Sequence, residues 1–249
     1  MTDAPHCSQG FSPSSVALMK TIGMLGGMSW ESSAVYYRLI NREVQNRLGG
    51  VHSARALMYS FDFGEIEALQ AAGQWDEASE RLVAVGVGLA KGGADFLMIC
   101  CNTMHLMSGA IEKAAGVALL HIADPLGEAI RAKGIRRVGL VGSCHTMEKG
   151  GIVIDRLREK FGLEIVVPDA PERAELQRII VEELCRGKFL DTARATHREI
   201  FAGLVARGAQ GIVLGCTEIP ILVGPADATV PTFDTTTLHA MAAVEMALG

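Results

Sequence analysis

The stretch Gly93-Ala94-Asp95-Phe96-Leu97-Met98-Ile99-Cys100-Cys101-Asn102-Thr103-Met104-His105 joins an apolar run to a thiol, small polar residues and a helix-like segment. The pattern returns as Gly208-Ala209-Gln210-Gly211-Ile212-Val213-Leu214-Gly215-Cys216-Thr217-Glu218, which places Cys216 115 residues after Cys101. A second match has nearly the same offset. Ile22-Gly23-Met24-Leu25-Gly26-Gly27-Met28-Ser29 aligns with Val138-Gly139-Leu140-Val141-Gly142-Ser143-Cys144-His145, and the two central glycines are 116 residues apart. Two independent matches at one offset indicate an internal duplication. The chain therefore reads as two similar α/β halves, each with one thiol at the end of a buried strand.

Around this frame, continuous apolar runs of four or five residues alternate with helical periodicity of about ten to eighteen residues. The first half reads as strand 21–26, helix 30–48, strand 54–61, helix 75–91, strand 96–100, helix 105–115, strand 118–122 and helix 124–133. The second reads as strand 137–141, helix 149–161, strand 164–167, helices 174–186 and 191–207, strand 211–214, a turn or short helix 217–223, strand 230–233 and helix 235–248. Strands that are apolar on both faces and alternate with helices imply parallel sheets covered on both sides. The expected fold is two similar α/β domains with mostly parallel sheets, related by pseudo-twofold symmetry, with the active site in the cleft between them. Residues 225–249 exceed the repeat unit and are expected to return to the first half. The N-terminal domain is then 19–118 plus 225–249, and the C-terminal domain 119–224.

Composition narrows the function classes. With 249 residues, 49% apolar and 20% charged, the chain matches ordinary globular proteins. A net charge of −5 provides no basic surface for nucleic acid or an anionic membrane. No apolar run approaches the roughly 18 residues that span a bilayer. Residues 1–18 are polar, rich in Ser and Pro, and read as a loose tail without the pattern of an export signal. Six cysteines in a chain this apolar do not form a disulfide framework, so free thiols in a reducing cytoplasm are expected.

In open parallel sheets, ligands bind beyond the carboxyl ends of the strands. Cys101, Cys216, Met28-Ser29 and the 143–146 loop all follow strands, and pseudo-twofold packing would gather them at one cleft. Each thiol also precedes a helix-like segment, whose amides suit a carboxylate and would lower a thiol from its usual value of about 8.5. Two opposed thiols suit removal of a proton from one face of a carbon and delivery to the other. Nothing in the pattern requires a metal or an organic cofactor. A lone strand-end cysteine is ordinarily a small core residue, and Cys100 is read so because side chains alternate along a strand. Cys101 and His105, at i and i+4, are the one spacing that would suit a metal. Cys144 lies near the cleft but has no thiol counterpart in the duplicate. Gly23 to Gly27 lacks the full fingerprint of a dinucleotide loop.

At Gly26-Gly27-Met28-Ser29-Trp30-Glu31-Ser32, Cys101-Asn102-Thr103-Met104-His105 and Gly215-Cys216-Thr217-Glu218-Ile219, the sequence resembles the aspartate/glutamate racemase superfamily. The likeness extends from Met19 to the C-terminus and includes the stretch 178–184. It is nearest to the bacterial broad-specificity and L-aspartate/glutamate racemases. The resemblance implies a cofactor-independent amino-acid racemase with Cys101 and Cys216 as its acid–base pair. It also implies substrate contacts from Met28, Ser29, Asn102, Thr103, Thr146, Thr217 and Glu218, and a homodimer. Hydantoin racemases and maleate cis-trans isomerases of the same superfamily would use the same two thiols, whereas an arylmalonate decarboxylase would use one. A two-lobed binding module is the non-enzymatic alternative. Some aspartate racemases hold the side-chain carboxylate with basic residues. Near those positions this chain has Glu67 and Glu175, with Arg55 and Arg173 as candidate substitutes.

Overall fold

A computed structural model describes residues 19–148 and 151–249; the 1–18 tail reading and Cys7 lie outside the described residues. The first half runs β1 (Ile22–Gly26), α1 (Trp30–Leu48), β2 (Ala56–Ser60), α2 (Phe63–Ala71), α3 (Trp75–Lys91), β3 (Phe96–Ile99), a 3-10 turn (Thr103–Met107), α4 (Ser108–Ala115), β4 (Leu119–Leu120) and α5 (Ala123–Ala132). The second runs β5 (Arg137–Gly142), α6 (Cys144–Met147), α7 (Ile152–Phe161), β6 (Glu164–Val166), α8 (Ala170–Glu182), a 3-10 turn (Leu184–Arg186), α9 (Asp191–Ala206), β7 (Ile212–Gly215), α10 (Ile219–Leu222), a 3-10 turn (Pro225–Asp227), β8 (Thr232–Asp234) and α11 (Thr235–Leu248).

Two four-stranded parallel sheets result, ordered β2-β1-β3-β4 and β6-β5-β7-β8. The orders are the same, as the duplication requires. Side-chain alternation divides each strand between two cores. From β3, Phe96 and Met98 join a cluster with Tyr36, Ile40 and Val44 of α1, whereas Leu97 and Ile99 face Leu82 of α3 and Ile111 of α4. Cys100 belongs to the first of these clusters and is fully buried.

The two halves exchange their last helices. Ile122, Ala123, Leu126 and Ile130, at or in α5, pack with Val138, Leu140 and Val213 of the second sheet. Ala240, Ala243, Val244 and Ala247 of α11 pack with α1 and the first sheet. The small residues of α11 let its backbone lie close to α1. The return of 225–249 to the first half is therefore corrected in part: the helix returns, but β8 pairs with β7 in the second sheet. Its bonding explains this. The Ile212 amide needs an acceptor at the open edge of β7 and finds the Pro231 carbonyl at 2.9 Å, directly before β8. Residues 119–120, assigned by sequence to the second domain, pair as β4 with β3.

Two helices were missing from the sequence reading, the four-residue α6 and the longer α2. Asp62 Oδ1 accepts the Gly64 amide at 2.9 Å and caps α2, which buries only Ile66 and Leu69. The signal for it was the Asp62 cap followed by this i, i+3 apolar pair. The helix expected at 174–186 starts earlier, at Ala170. Asp169 and Glu172 form a reciprocal capping box, a motif worth roughly 1 kcal/mol. No helix of the described residues is long and apolar enough to cross a membrane.

Candidate active site

The carboxyl ends of β1, β3, β5 and β7 meet across the junction of the halves around a cavity of about 250 Å³. Cys101 and Cys216 both line it. So do Met28, Asn102, Thr103 and Thr146, together with Thr217 and Glu218. Ser29 is placed differently. It is 1% exposed, and both its amide and its hydroxyl donate to Glu218 Oε1, at 3.2 and 2.9 Å. It holds a wall residue instead of forming the wall. Gly27 makes this turn possible: its φ is +86°, and a Cβ there would lie 2.3 Å from the Phe61 amide nitrogen.

Glu218 is the most densely bonded group of the site. Besides the two bonds from Ser29, its Oε2 accepts from Thr217 Oγ1 and from the Cys216 thiol, each at 3.0 Å. Four donors and 2% exposure describe a carboxylate satisfied as an acceptor, with no cationic partner among the described residues. The first half has no equivalent, because the residue two places after Cys101 is Thr103. Its hydroxyl lies 2.9 Å from Ser143 Oγ and 3.2 Å from Thr146 Oγ1, and these two are 3.0 Å apart. This triangle of hydroxyls ties the halves together. Asn102 makes a second tie through Nδ2 to Thr235 Oγ1 at 3.1 Å, while its buried Oδ1 has no partner among the described residues.

The expectation that helix amides would acidify the thiols fails in the free protein. Burial pushes Cys101 up to about 12; the Met104 and Thr103 amides pull it down, and the Glu218 carboxylate adds to the rise. Burial, then Glu218, holds Cys216 well above the usual thiol range. The segments that follow the thiols are a five-residue 3-10 turn and a four-residue helix. Their few aligned amides do not outweigh the loss of water. Both thiols are therefore protonated at neutral pH. Iodoacetamide, followed by peptide mass mapping, is expected to label Cys101 and Cys216 slowly at pH 7.5 and rapidly only above pH 9. Rapid labelling of either thiol at pH 7 would contradict this.

The metal alternative at Cys101 and His105 does not form. His105 Nδ1 lies 2.8 Å from the Cys101 carbonyl and Nε2 accepts the Ile122 amide at 3.1 Å, so both ring nitrogens are engaged. Among the described residues, one group of three has metal-capable donors within 4.8 Å of one another: Cys144, His145 and Glu148, at the cavity's edge, with Glu148 exposed.

Several wall residues escaped the sequence reading. Phe63, Gln70 and Ala71 come from α2, an unanticipated helix, and Gln177, Ile180 and Val181 from α8. Cys185, from the turn after α8, joins Cys101, Cys144 and Cys216 as a fourth thiol of the lining and is raised by burial. The two arginines proposed as side-chain ligands are elsewhere. Arg55 precedes β2 at the opposite end of its strand and donates to the Met19 carbonyl, and Arg173 donates to the Pro168 carbonyl. Glu175 pairs with Arg178 on the surface. Of the four residues considered, only Glu67 lines the cavity.

A family model described as Asp/Glu/Hydantoin racemase matches residues 25–243. The chain is 21% identical over 169 residues to the broad specificity amino-acid racemase RacX of Bacillus subtilis (strain 168), covering 68% of this chain and 72% of that protein. Among solved structures, a candidate Asp/Glu racemase from Yersinia pestis is 48% identical, with a TM-score of 0.85, over 93% of this chain and 100% of that one. An aspartate racemase homologue from Pyrococcus horikoshii OT3 is 31% identical, with a TM-score of 0.76, over 92% and 99%.

Proposed function

Since the chain belongs to the Asp/Glu/hydantoin racemase family, we propose that it inverts the α-carbon of a free amino acid with Cys101 and Cys216 as its two acid–base groups. The observation that carries this reading is that two thiols at duplicated strand ends line one small cavity from opposite halves.

The chemistry follows from the protonation states. A thiolate is needed on one side of the α-carbon and a thiol on the other. In the free protein both are thiols. Among the described residues no lysine or arginine lines the cavity to stabilise a thiolate, and the substrate's own ammonium group brings positive charge. On the Cys216 side the proton has an acceptor already in place. The S–H bond breaks toward Glu218 Oε2, an O–H bond forms there, and the neutral acid donates back to the thiolate sulfur. The thiolate then takes the α-proton while the opposite thiol gives its own to the other face. The carbanion's charge spreads into the substrate carboxylate, for which Asn102, Thr103 and Thr217 provide polar groups on the wall. Glu218 becomes the positioning and proton-holding group for one thiol, and the hydroxyl triangle at Thr103 supports the other.

Incubation of the purified protein with single-enantiomer amino acids in deuterated water tests the reading. Deuterium is expected at the α-carbon, and the product is expected to approach an equal mixture of enantiomers from either side. Failure of every proteinogenic amino acid to exchange would overturn it.

A further inference from the structure

We propose that Glu67 and Gln70 form the subsite for the substrate's side chain and select amino acids with a cationic side chain, such as lysine and ornithine, over aspartate and glutamate. This rests on the racemase reading of the same cavity and names its substrate class.

The charge inventory of the wall carries the inference. Two carboxylates line the cavity, Glu67 and Glu218, and among the described residues no arginine or lysine does. Glu218 is fully engaged by Ser29, Cys216 and Thr217. Glu67 is half-buried on α2 and has no hydrogen bond or ion pair among the described residues. Beside it, Gln70 donates one Nε2 hydrogen to Met104 Sδ at 3.0 Å, and its Oε1 accepts no hydrogen bond among the described residues. This part of the wall therefore offers an unpaired carboxylate and an unengaged amide oxygen. A dicarboxylic substrate would bring a second anion against them with no fixed cation to receive it. A side-chain ammonium has three donors and one positive charge, which complements a free carboxylate and an amide oxygen. Its methylenes would run along apolar atoms of Phe63 and Ala71 from one half and Val181 from the other. His145, the remaining titratable wall residue besides the thiols, has Glu148 3.7 Å from its Nδ1 and so faces an acid of its own.

Deuterium exchange rates on wild-type protein, Glu67→Gln and Glu67→Lys, with L-lysine, L-norleucine and L-glutamate, test the proposal. Wild type is expected to have a kcat/KM for lysine about 10–100-fold above that for glutamate, the range a charged hydrogen bond contributes. Glu67→Gln is expected to lower the lysine-to-norleucine ratio by about 10–100-fold, and Glu67→Lys to invert the lysine-to-glutamate preference. Glutamate exchanging as fast as lysine, or an unchanged lysine-to-norleucine ratio in Glu67→Gln, would overturn this assignment and leave the racemase reading standing. Absence of exchange with all three substrates and with the wider amino-acid set would remove both.

Discussion

Cys101→Ser and Cys216→Ser are each expected to lower the rate of enantiomer interconversion by at least about 10³-fold. A serine hydroxyl keeps the volume of the site but is too weak an acid to supply a base near neutral pH. Under the proposed mechanism inversion needs both groups, so losing one should cost nearly as much as losing the pair, as is usual when residues act as a unit. The two variants are nevertheless expected to differ. Under the proposed two-base reading each thiol serves one face of the α-carbon, so the variant that keeps Cys216 should retain deuterium wash-in from one enantiomer and the variant that keeps Cys101 from the other. Glu218 adds an asymmetry, since it contacts Cys216 at 3.0 Å and has no counterpart beside Cys101. Cys100→Ala is the control, because that side chain is packed on the far face of β3 with Tyr36 and α11. Near-normal interconversion by Cys101→Ser, or equal loss of wash-in from both enantiomers in both variants, would end the two-base assignment.

Acidification from pH 7 to 5.5 is expected to lower the unfolding free energy by about 3 kcal/mol. Three buried histidines behind the Cys101 strand end are the cause. Burial brings His105 down to about 4, His121 to about 2 and His239 to about 3. Their hydrogen bonds require the neutral rings. Nε2 of His105 accepts the Ile122 amide, and Nδ1 of His121 accepts the Ala123 amide at 3.2 Å. Nδ1 of His239 lies 3.1 Å from the Tyr36 hydroxyl while its Nε2 donates to the Leu120 carbonyl at 2.9 Å. A proton on His105 Nε2 or His121 Nδ1 would point at an N–H that is already a donor. The rings also adjoin one another, with His105 4.7 Å from His121 and 5.6 Å from His239 between centroids. Arg156 nearby disfavours charge on His105 and His121, and Asp124 only partly offsets it at His121.

The sign follows from proton counting. The native pKa values lie below the unfolded 6.5, so the unfolded chain binds more protons between 6.5 and about 4. Stability is fully present above pH 6.5 and is lost as the pH falls below it. This window lies above the ordinary carboxylate range, so histidines dominate it. Urea unfolding followed at pH 7.0, 6.5, 6.0 and 5.5 measures the effect, and a midpoint independent of pH would show that the cluster tolerates charge.

Much of this protein could be read from residues alone. Two matches at one offset established the duplication, the continuous apolar runs established parallel sheets covered on both faces, and strand-end position singled out Cys101 and Cys216 from six cysteines. Those features depend on local pattern, and local pattern is what a sequence carries directly. What it did not carry were choices made between distant segments. Strand 232–234 and helix 235–248 are consecutive, yet one joins the second sheet and the other the first, because the strand answers an open edge of β7 and the helix an apolar face on α1.

The site shows the same division. Type and spacing brought Cys101, Asn102 and Thr103 together with Cys216, Thr217 and Glu218, but only folding revealed that Ser29 spends both donors on Glu218. The presence of Glu67 and Gln70 on the wall depends on α2, a helix of nine residues that buries two side chains and so leaves little periodic trace. The thiol acidity was decided last. A strand end followed by amides suggests a lowered pKa, but burial depends on everything packed around the sulfur, and the tertiary structure raised it. Sequence thus determined which groups stand at the strand ends, because chain neighbours and side-chain alternation are local. Tertiary structure determined their hydrogen-bond partners and their charge, because desolvation and distant donors are properties of the assembled cavity.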